Sequence, residues 1–402
     1  MEQQERRQAL TVLAERLPGW YEQNKRILPW RGTGDPYDVW LSEIMLQQTR
    51  VEAVKGYFLR FRKALPDIAA LATCPEDQLL KLWEGLGYYS RVRNLKKCAQ
   101  RLMAEYDGKL PSGREALLRL PGIGSYTAGA IASIAYGRLV PAVDGNVLRV
   151  YARVTGDPAD IADSKTKKKV EDLFSEVLQE AFEASRSIQG TEQKAEEPAA
   201  GPFEPGIFNQ ALMELGATVC LPNGAPLCGA CPVQDICRAR RLDEISMLPV
   251  KTGKKPRRIE ERTVVILQDG DRFLIQKRDR KGLLAGLYEF PSLPGFASEE
   301  AVLQAVKALS LDAVQIRRLP DAKHIFTHVE WHMRGYLVRL AAESRIRETG
   351  REAFTASDWI RPEHCFATKE ETEKAYALPS AFSAFAQYLQ IERAGDHIVF
   401  NA

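Results

Sequence analysis

Two carboxylates in the N-terminal half of the chain lie in contrasting settings. Glu43, in VWLSEIMLQQT, stands between apolar residues such as Leu41 and Ile44. Burial among such neighbours raises the pKa of a carboxyl group and keeps it protonated near neutral pH. Asp144, in PAVDGNVLRV, precedes a predicted helix whose free N–H groups and dipole would lower its pKa and keep it ionised. Such a pair suits acid-assisted cleavage of a glycosidic bond. The alternatives are an exposed glutamate and a plain helix cap.

Four cysteines at residues 220–237 form the most specific local signal. They follow the spacing C-x7-C-x2-C-x5-C and are Cys220, Cys228, Cys231 and Cys237. Thiolates this close can enclose one iron–sulfur cluster or one zinc ion. Zinc sites more often combine two CxxC pairs and only one is present, so we favour a single [4Fe–4S] cluster over zinc, and either over disulfides. The cysteines predicted to be ordinary buried thiols are Cys74, Cys98 and Cys365.

Histidine is missing from most of the chain. The first of the five histidines is His324. The N-terminal region therefore contains neither a histidine-based catalytic triad nor a histidine-ligated metal, and its chemistry must rest on carboxylates, hydroxyls, amides or thiolates.

The stretch LLRLPGIGSYTAGAIASIAYG contains a glycine-rich turn followed by a helix of small residues. Gly122 and Gly124 permit positive φ angles and leave amide N–H groups unshielded at the start of the helix that begins near Ser125. Such a turn binds an anion. Gly129 lets a neighbouring element approach closely. The stretch resembles the helix-hairpin-helix element, which grips a DNA phosphate without reading sequence. A turn that only packs is the alternative.

Composition limits the class of protein. The chain has 402 residues, 45% of them hydrophobic, and a net charge of +3, which predicts at least two domains and gives no indication of nucleic acid by itself. We find neither a signal peptide nor a stretch of roughly 18 apolar residues, so we expect a soluble, cytoplasmic protein without a membrane span. Seven cysteines, an odd number, argue against a disulfide framework.

A change in periodicity divides the chain. Apolar residues recur at three- and four-residue spacing over 1–240, which predicts a helical region with its hairpin at about 110–137. One helical stretch between Pro/Gly breaks is DVWLSEIMLQQTRVEAVKGYFLRF. The basic, proline-containing residues 241–259 are predicted to be an interdomain linker. Residues 260–395 mix the strand patterns RTVVILQDGDRFLIQKR and WHMRGYLVRL with helical ones such as PSAFSAFAQYLQ, which predicts an α+β domain. Residues 183–206 contain a low-complexity insertion, predicted to be a mobile surface loop.

These motifs together resemble the endonuclease III superfamily and, within it, the MutY-type adenine DNA glycosylases. The resemblance is carried by LPWR, DPYDVWLSEIMLQQTRV, WEGLGYYSRVRNL, PAVDGNVLRV and NQALMELGATVC. It implies an all-α helix-hairpin-helix glycosylase region with an iron–sulfur cluster loop, followed by an α+β Nudix-like lesion-recognition domain. It also implies a monomer, associated with the nucleoid, that excises adenine opposite 8-oxoguanine or guanine in double-stranded DNA.

The resemblance assigns roles to matching residues. Glu43 would protonate adenine N7, and Asp144 would stabilise the oxocarbenium-like sugar while water completes hydrolysis, with Tyr126 and Asn146 beside them. Residues that would contact DNA, some of them by wedging into the base stack while adenine is flipped out, are Gln48, Leu86, Tyr88, Gly122, Gly124 and Ser125. Residues that would line the adenine pocket are Arg26, Leu28, Trp30, Arg31, Leu46 and Gln210.

Tyr126 separates two classes of enzyme. Bifunctional relatives carry a lysine here that attacks the sugar, whereas a phenol cannot form the Schiff base, so we expect a monofunctional glycosylase. Two alternative hypotheses are an endonuclease III-like glycosylase and lyase that acts on oxidised pyrimidines, and a lesion-binding protein without catalytic activity.

The C-terminal domain lacks the carboxylate-rich motif of Nudix hydrolases, so we expect it to read the lesion rather than hydrolyse nucleotides. The family's Phe-Ser-His loop corresponds here to Phe326, Thr327 and His328, which the resemblance assigns to 8-oxoguanine recognition. The first gap between the cluster cysteines is one residue longer than usual and lacks basic residues.

Overall fold

The computed structural model describes residues 2–191, 203–253, 256–341 and 359–391. Two compact units are present. The first, which we call the helical unit, comprises Met1–Thr73 and Arg93–Gly253, and the second, the sheet unit, comprises Cys74–Val92 and Lys254–Ala402. The region predicted over 1–240 therefore contributes to both units. In the described residues no helix is long and apolar enough to cross a membrane.

Helices make up most of the first 250 residues, as the periodicity predicts. In chain order they are α1 (Glu2–Asn24), α2 (Pro36–Leu46), α3 (Val51–Ala64), α4 (Ile68–Thr73), α5 (Glu76–Leu82), α6 (Ser90–Glu105), α7 (Arg114–Leu118), α8 (Ser125–Ala130), α9 (Gly145–Thr155), α10 (Ser164–Thr191), α11 (Pro205–Thr218) and α12 (Arg238–Arg241). A π-helical turn, Ile131–Ala135, extends α8.

The sequence pattern predicted one helix over DVWLSEIMLQQTRVEAVKGYFLRF, and this prediction is wrong. The helix breaks between Leu46 and Val51 because Gln48 adopts a φ of +57°. No glycine or proline marks this break, so the periodicity runs through it. The break matters because Gln48 and its neighbours Gln47 and Thr49 line a cavity of about 490 Å³ in the helical unit.

The core of the helical unit lies between α1, α9, α10 and α11. Tyr151 contacts Phe174 edge to face with their ring centroids 6.4 Å apart, and Phe174 lies 6.1 Å from Phe208. All three rings are fully buried. Large apolar groups at helical spacing on α9 anchor it in this core, and the N-terminus of α9 is thereby fixed in place.

The sheet unit contains a mixed sheet, as predicted for an α+β domain. Its strands are β1 (Arg258–Asp269), β2 (Arg272–Lys277), β3 (Tyr288–Glu289), β4 (Ser292–Pro294), β5 (Ala313–Ile325), β6 (Val329–Leu340) and β7 (His364–Thr368). The order is β3-β2-β1-β6-β5, with β4 beside β1 and β7 beside β2. The pairing of β1 with β6 is parallel and the other pairings are antiparallel. Helices α13 (Glu299–Ala308), α14 (Lys369–Ala375) and α15 (Ser383–Ala386) follow in chain order.

The central strand β1 is buried on both faces. Val264 and Ile266 pack with Trp331 and Phe382 in one core. Val265 and Leu267 pack against α13 in a second core. Alternate residues of a strand point to opposite faces, so the continuous apolar run VVIL fits a strand covered on both sides.

Three boundaries differ from those expected. The first residues of β1 lie inside the predicted linker, since β1 begins at Arg258. The predicted helix PSAFSAFAQYLQ contains only the short α15 between 3-10 turns. Helix α10 continues to Thr191, so the first part of the predicted loop at 183–206 is helical. Residues 192–202 of that loop and residues 392–395 of the predicted C-terminal domain lie outside the described residues.

Candidate active site

A cavity of about 490 Å³ opens in the helical unit. It lies between α2, the turn after α2, the start of α8, the start of α9 and one face of α11. The predicted residues that line it are Arg26, Leu28, Trp30, Arg31, Glu43, Leu46, Gln48, Tyr126, Asp144, Asn146 and Gln210. Folding therefore gathers around one cavity groups that lie as much as 184 positions apart, from 26 to 210.

Glu43 lies on a helix that is buried almost all round. Only 7% of the residue is exposed, and the residues Tyr37 to Met45 of α2 are all buried. Burial raises the pKa of Glu43 to about 7, a hydrogen bond from the Tyr126 hydroxyl opposes this rise, and the charge of Asp144 adds to it. The Tyr126 hydroxyl also lies 3.1 Å from Met213 Sδ. The predicted raised pKa is confirmed, and Glu43 can carry a proton near neutral pH.

Asp144 caps α9, as predicted. Its Oδ1 accepts from the Val147 amide at 2.8 Å, and its Oδ2 accepts from Asn146 Nδ2 at 2.7 Å. The prediction of a lowered pKa is wrong, because burial beside the cavity raises the pKa of Asp144 more than these hydrogen bonds lower it. The hydrogen-bond donors nevertheless favour the ionised form of Asp144. For Glu43, the groups that favour the ionised form are Tyr126 and Arg31.

The segment that leads into Asp144 is held by two residues. A Cβ atom at Gly129 would lie 2.1 Å from the Pro141 carbonyl oxygen, so only glycine fits there. The close approach expected at Gly129 is therefore confirmed. Asn209, 1% exposed, accepts from the Ala142 amide at 3.1 Å and donates to the Val140 carbonyl at 2.9 Å. Asn209 was not predicted, because an amide in an apolar helix can equally well face solvent.

Arg26 and Arg31 share one buried carboxylate in the cavity wall. Arg26 Nε lies 2.7 Å from Glu214 Oε1 and Arg31 Nη2 lies 2.8 Å from Glu214 Oε2. Burial alone would raise the pKa of Glu214, but hydrogen bonds from both arginines outweigh it and lower the pKa to about 2. The wall thus presents oriented guanidinium groups whose charge is partly balanced. Glu214 was not predicted, although it lies within NQALMELGATVC.

The four loop cysteines line one small apolar cavity of about 30 Å³. All four are partly buried free thiols. Arg153 Nη1 lies 3.4 Å from Cys220 Sγ. In the part of the chain that the structure describes, no group of three or more His, Cys, Asp or Glu side chains has the geometry to bind a metal ion. Four soft thiol donors around one cavity are nevertheless the donor set of an iron–sulfur cluster.

Arg149 connects the cysteine loop with the cavity. This side chain is 7% exposed, donates from Nε to the Cys220 carbonyl at 2.8 Å and donates from Nη2 to Asn146 Oδ1 at 2.9 Å. Asn146 in turn donates to Asp144. Burial lowers the pKa of Arg149. Arg149 was not predicted, because its position in the sequence pattern is that of a polar residue on an amphipathic helix.

The positive φ predicted for the glycine-rich turn is confirmed at Gly122 but is wrong at Gly124, whose φ is −94° because it is the extended residue that precedes α8. Gly122 adopts a φ of +78°, and a Cβ atom there would lie 2.6 Å from Asn94 Cβ. Gly124 occupies the N-cap of α8. Ser125 donates to Glu171 Oε1 at 2.7 Å and accepts from Arg114 Nη2 at 2.8 Å. The turn is therefore fixed both by its own backbone and by a polar contact with α10.

The remaining predicted residues lie in the sheet unit. Tyr88 is 47% exposed and its hydroxyl lies 3.5 Å from Thr327 Oγ1. Phe326 packs edge to face on Trp331, with the ring centroids 4.9 Å apart. Leu86 is only 6% exposed. The structure therefore brings Tyr88 and the Phe326–His328 loop together, but does not present Leu86 at the surface.

Comparison with known proteins matches two regions of the chain. The HhH-GPD superfamily base excision DNA repair proteins match residues 41–180, and the NUDIX domain matches residues 262–388. The adenine DNA glycosylase of Homo sapiens is 34% identical over 84% of this chain and 68% of its own length. That of Buchnera aphidicola (subspecies Acyrthosiphon pisum) is 31% identical over 82% of this chain and 87% of its own length. A solved thermostable thymine-DNA glycosylase aligns with 60% of this chain and all of its own at 23% identity and a TM-score of 0.48.

Proposed function

Since the chain belongs to the adenine DNA glycosylase family, we propose that it excises adenine paired with 8-oxoguanine, or with guanine, in double-stranded DNA. It is a DNA N-glycosylase of base excision repair. The observation that carries the proposal is the cavity in which Glu43, Asp144 and Tyr126 meet. A flipped nucleotide needs such a concave site lined by a few polar groups.

Glu43 is the proposed general acid. A carboxyl group with a pKa of about 7 holds a proton at neutral pH and can release it, which is the optimum for proton transfer. Protonation of adenine N7 makes the base a better leaving group, because its departure then produces a neutral adenine. The Tyr126 hydroxyl, which donates to Glu43, orients the carboxyl group.

Asp144 is the proposed stabiliser of the positively charged sugar. Its two oxygens are held by Val147 and Asn146, so the carboxylate does not have to reorient as charge develops. Water then adds to the anomeric carbon to complete the hydrolysis. Because both carboxyl groups have raised pKa values, the order in which they lose protons depends on the donors around Asp144.

Tyr126 supports a monofunctional reaction. Its phenol stands where a lyase would need an amine, and burial raises its pKa well above the usual value. A neutral phenol bonded to Glu43 cannot attack the sugar to form a Schiff base. We therefore propose that the product is an intact strand with an abasic site.

Base recognition is proposed to use both units. Trp30, Leu28 and Leu46 supply apolar surface around the flipped adenine, and Arg31 and Gln210 supply polar atoms. Tyr88 and Thr327, whose hydroxyl groups lie 3.5 Å apart, are proposed to contact the opposite 8-oxoguanine. Phe326 and His328 complete that reader loop, while Gly122, Gly124 and Ser125 bind a backbone phosphate.

The cysteine loop is proposed to hold one [4Fe–4S] cluster through Cys220, Cys228, Cys231 and Cys237. When bound, the cluster would fasten the loop and so fix the Cys220 carbonyl, to which Arg149 donates. We expect purified protein to contain about four iron atoms per chain, measured together with acid-labile sulfide. Cys228→Ser should lose most of this iron, and Cys365→Ser, the matched control, should retain it. Zinc in place of iron would contradict the assignment.

A duplex panel tests the proposed function. Enzyme in excess is mixed with duplexes that contain adenine opposite 8-oxoguanine, guanine or thymine, and free base and strand integrity are measured with and without alkali. We expect adenine to be released fastest opposite 8-oxoguanine, with strands cleaved only after alkali. Strand cleavage without alkali would indicate a lyase. Tight lesion binding without base release would indicate a sensor.

A further inference from the structure

The segment Cys74–Val92 belongs to the sheet unit, although its sequence neighbours on both sides belong to the helical unit. It contains α5 and the loop that ends in Tyr88. At the start of α5, Asp77 Oδ1 lies 2.9 Å from Lys277 Nζ of β2. This pair is partly exposed, so it contributes little to holding the segment against the C-terminal domain.

A buried ion pair makes the stronger connection. Glu84 has no exposed surface, its Oε2 lies 2.7 Å from Lys81 Nζ, and its Oε1 accepts from the Leu378 amide at 2.7 Å. Lys81 Nζ also donates to the carbonyl oxygens of Thr372 and Tyr376 at 3.2 and 3.1 Å. These carbonyls are at the C-terminal end of α14, where a cation is favourable. The two side chains therefore join the segment to residues 372–378 by hydrogen bonds to three backbone groups.

The loop that follows Glu84 has a constrained backbone. Gly85, Gly87 and Tyr88 all adopt positive φ angles, and for Tyr88 the value is +48°. Such a conformation costs energy for a residue with a side chain and persists only where its surroundings impose it. Arg91 Nη2 donates to the carbonyls of Leu86 and Gly87 at 3.0 and 3.1 Å. The backbone from Gly85 to Tyr88 is thus held in one conformation directly after Glu84, so the position of the Lys81–Glu84 pair determines the position of Tyr88.

We infer that Lys81 and Glu84 are positioning residues that set the Tyr88 hydroxyl against Thr327 and so determine discrimination between 8-oxoguanine and guanine. The inference rests on the proposed function. Buried charged hydrogen bonds fix one geometry, because any shift leaves a charge without its partner. Tyr88 is four residues beyond Glu84, and misplacement of a contacting group by about 1 Å is sufficient to change a rate by orders of magnitude.

Two variants test the inference in the full-length protein. Glu84→Gln removes the charge that pairs with Lys81. The double variant Lys81→Met with Glu84→Gln also removes Lys81, so no unpaired charge remains in the core. Single-turnover rates are measured for adenine opposite 8-oxoguanine and opposite guanine, and thermal unfolding is followed for each protein. The control is Lys374→Met, which breaks an exposed pair with Glu370 on the same α14.

We expect both variants to lose about tenfold of the preference for 8-oxoguanine while the rate opposite guanine stays within about twofold of wild type. The double variant should show this loss without a large fall in unfolding temperature, and Lys374→Met should resemble wild type. Equal losses on both substrates, or an unchanged preference, would overturn the inference. A wild-type protein without any preference would instead overturn the proposed reader function.

Discussion

Glu43 is a functional group whose placement reduces stability. Its pKa rises from an ordinary 4.5 to about 7 on folding, so the unfolded chain releases this proton at a lower pH than the native protein does. Stability from this residue is therefore complete below about pH 4.5 and declines until the pH passes about 7. Active sites commonly reduce stability in this way.

We predict that Glu43→Gln is more stable than wild type at alkaline pH, by roughly 3 kcal/mol at most. The amide cannot ionise, so the variant avoids the cost of a buried charge. Free energies of unfolding in urea at several pH values measure the difference. The gap should disappear toward pH 4.5 and grow until about pH 7. A gap that does not depend on pH would contradict the assigned pKa.

Glu214 has the opposite linkage. Its pKa falls to about 2, so its contribution to stability is present above about pH 4.5 and is lost as the pH falls toward 2. We predict that Glu214→Gln loses about 3 kcal/mol of unfolding free energy at neutral pH, since two guanidinium groups lose their buried partner. Glu52→Gln, which breaks an exposed pair with Lys55, is the control and should change stability by under about 1 kcal/mol.

Helix α8 packs closely against the segment before α9 at Gly129. We predict that Gly129→Ala costs more than about 2 kcal/mol of stability, because its Cβ would lie 2.1 Å from the Pro141 oxygen. Relief of this clash would displace the segment that contains Pro141 and move Asp144 with it, so adenine release should slow. Gly113→Ala is the control, since a Cβ there meets nothing within 4 Å. Unfolding in urea and single-turnover kinetics measure both effects, and wild-type behaviour of Gly129→Ala would contradict this role.

Local signals explain which parts of the site could be predicted. The cap at Asp144 and the burial of Glu43 follow from their immediate neighbours in sequence. The raised pKa of Asp144 could not be foreseen, because the groups that desolvate it come from elements distant in sequence. Arg149 and Asn209 have no signature either, as their partners are backbone carbonyls and amides brought near only by folding.

Strands and helix boundaries also differ in how well the local sequence predicts them. Strands β1, β2 and β6 were predicted because each contains a continuous apolar run, VVIL in β1, FLI in β2 and YLV in β6. Strand β5 was missed because it lies at the edge of the sheet and most of its side chains are exposed, so its sequence lacks the alternation of a half-buried strand. The break at Gln48 was missed because a positive φ at glutamine is rare.

The two units of the molecule have different proposed roles. The helical unit contains the carboxyl groups that would act on adenine, and the sheet unit contains the loop that would read the opposite base. Changes in the reader loop should therefore alter preference between opposite bases while leaving the basic chemistry intact. Thr327 provides the sharpest test, because the family has serine at this position.

We predict that Thr327→Ser retains the preference for 8-oxoguanine within about twofold, while the nearly isosteric Thr327→Val loses about fivefold of it, since one hydrogen bond is worth about 1 kcal/mol. The rate opposite guanine should be similar in all three proteins. Single-turnover rates on the two duplexes measure the ratio. If valine kept the full preference, the hydroxyl would have no part in reading the lesion.

The most direct test of the central claim is single-turnover adenine release opposite 8-oxoguanine as a function of pH, for wild type and Glu43→Gln. We expect the wild-type rate to decline as pH rises above about 7, because the protonated acid is depleted. Glu43→Gln should be slower by at least about 100-fold and should show no such decline. Wild-type activity in Glu43→Gln, or a wild-type rate that increases through neutral pH, would contradict Glu43 as the acid that releases adenine.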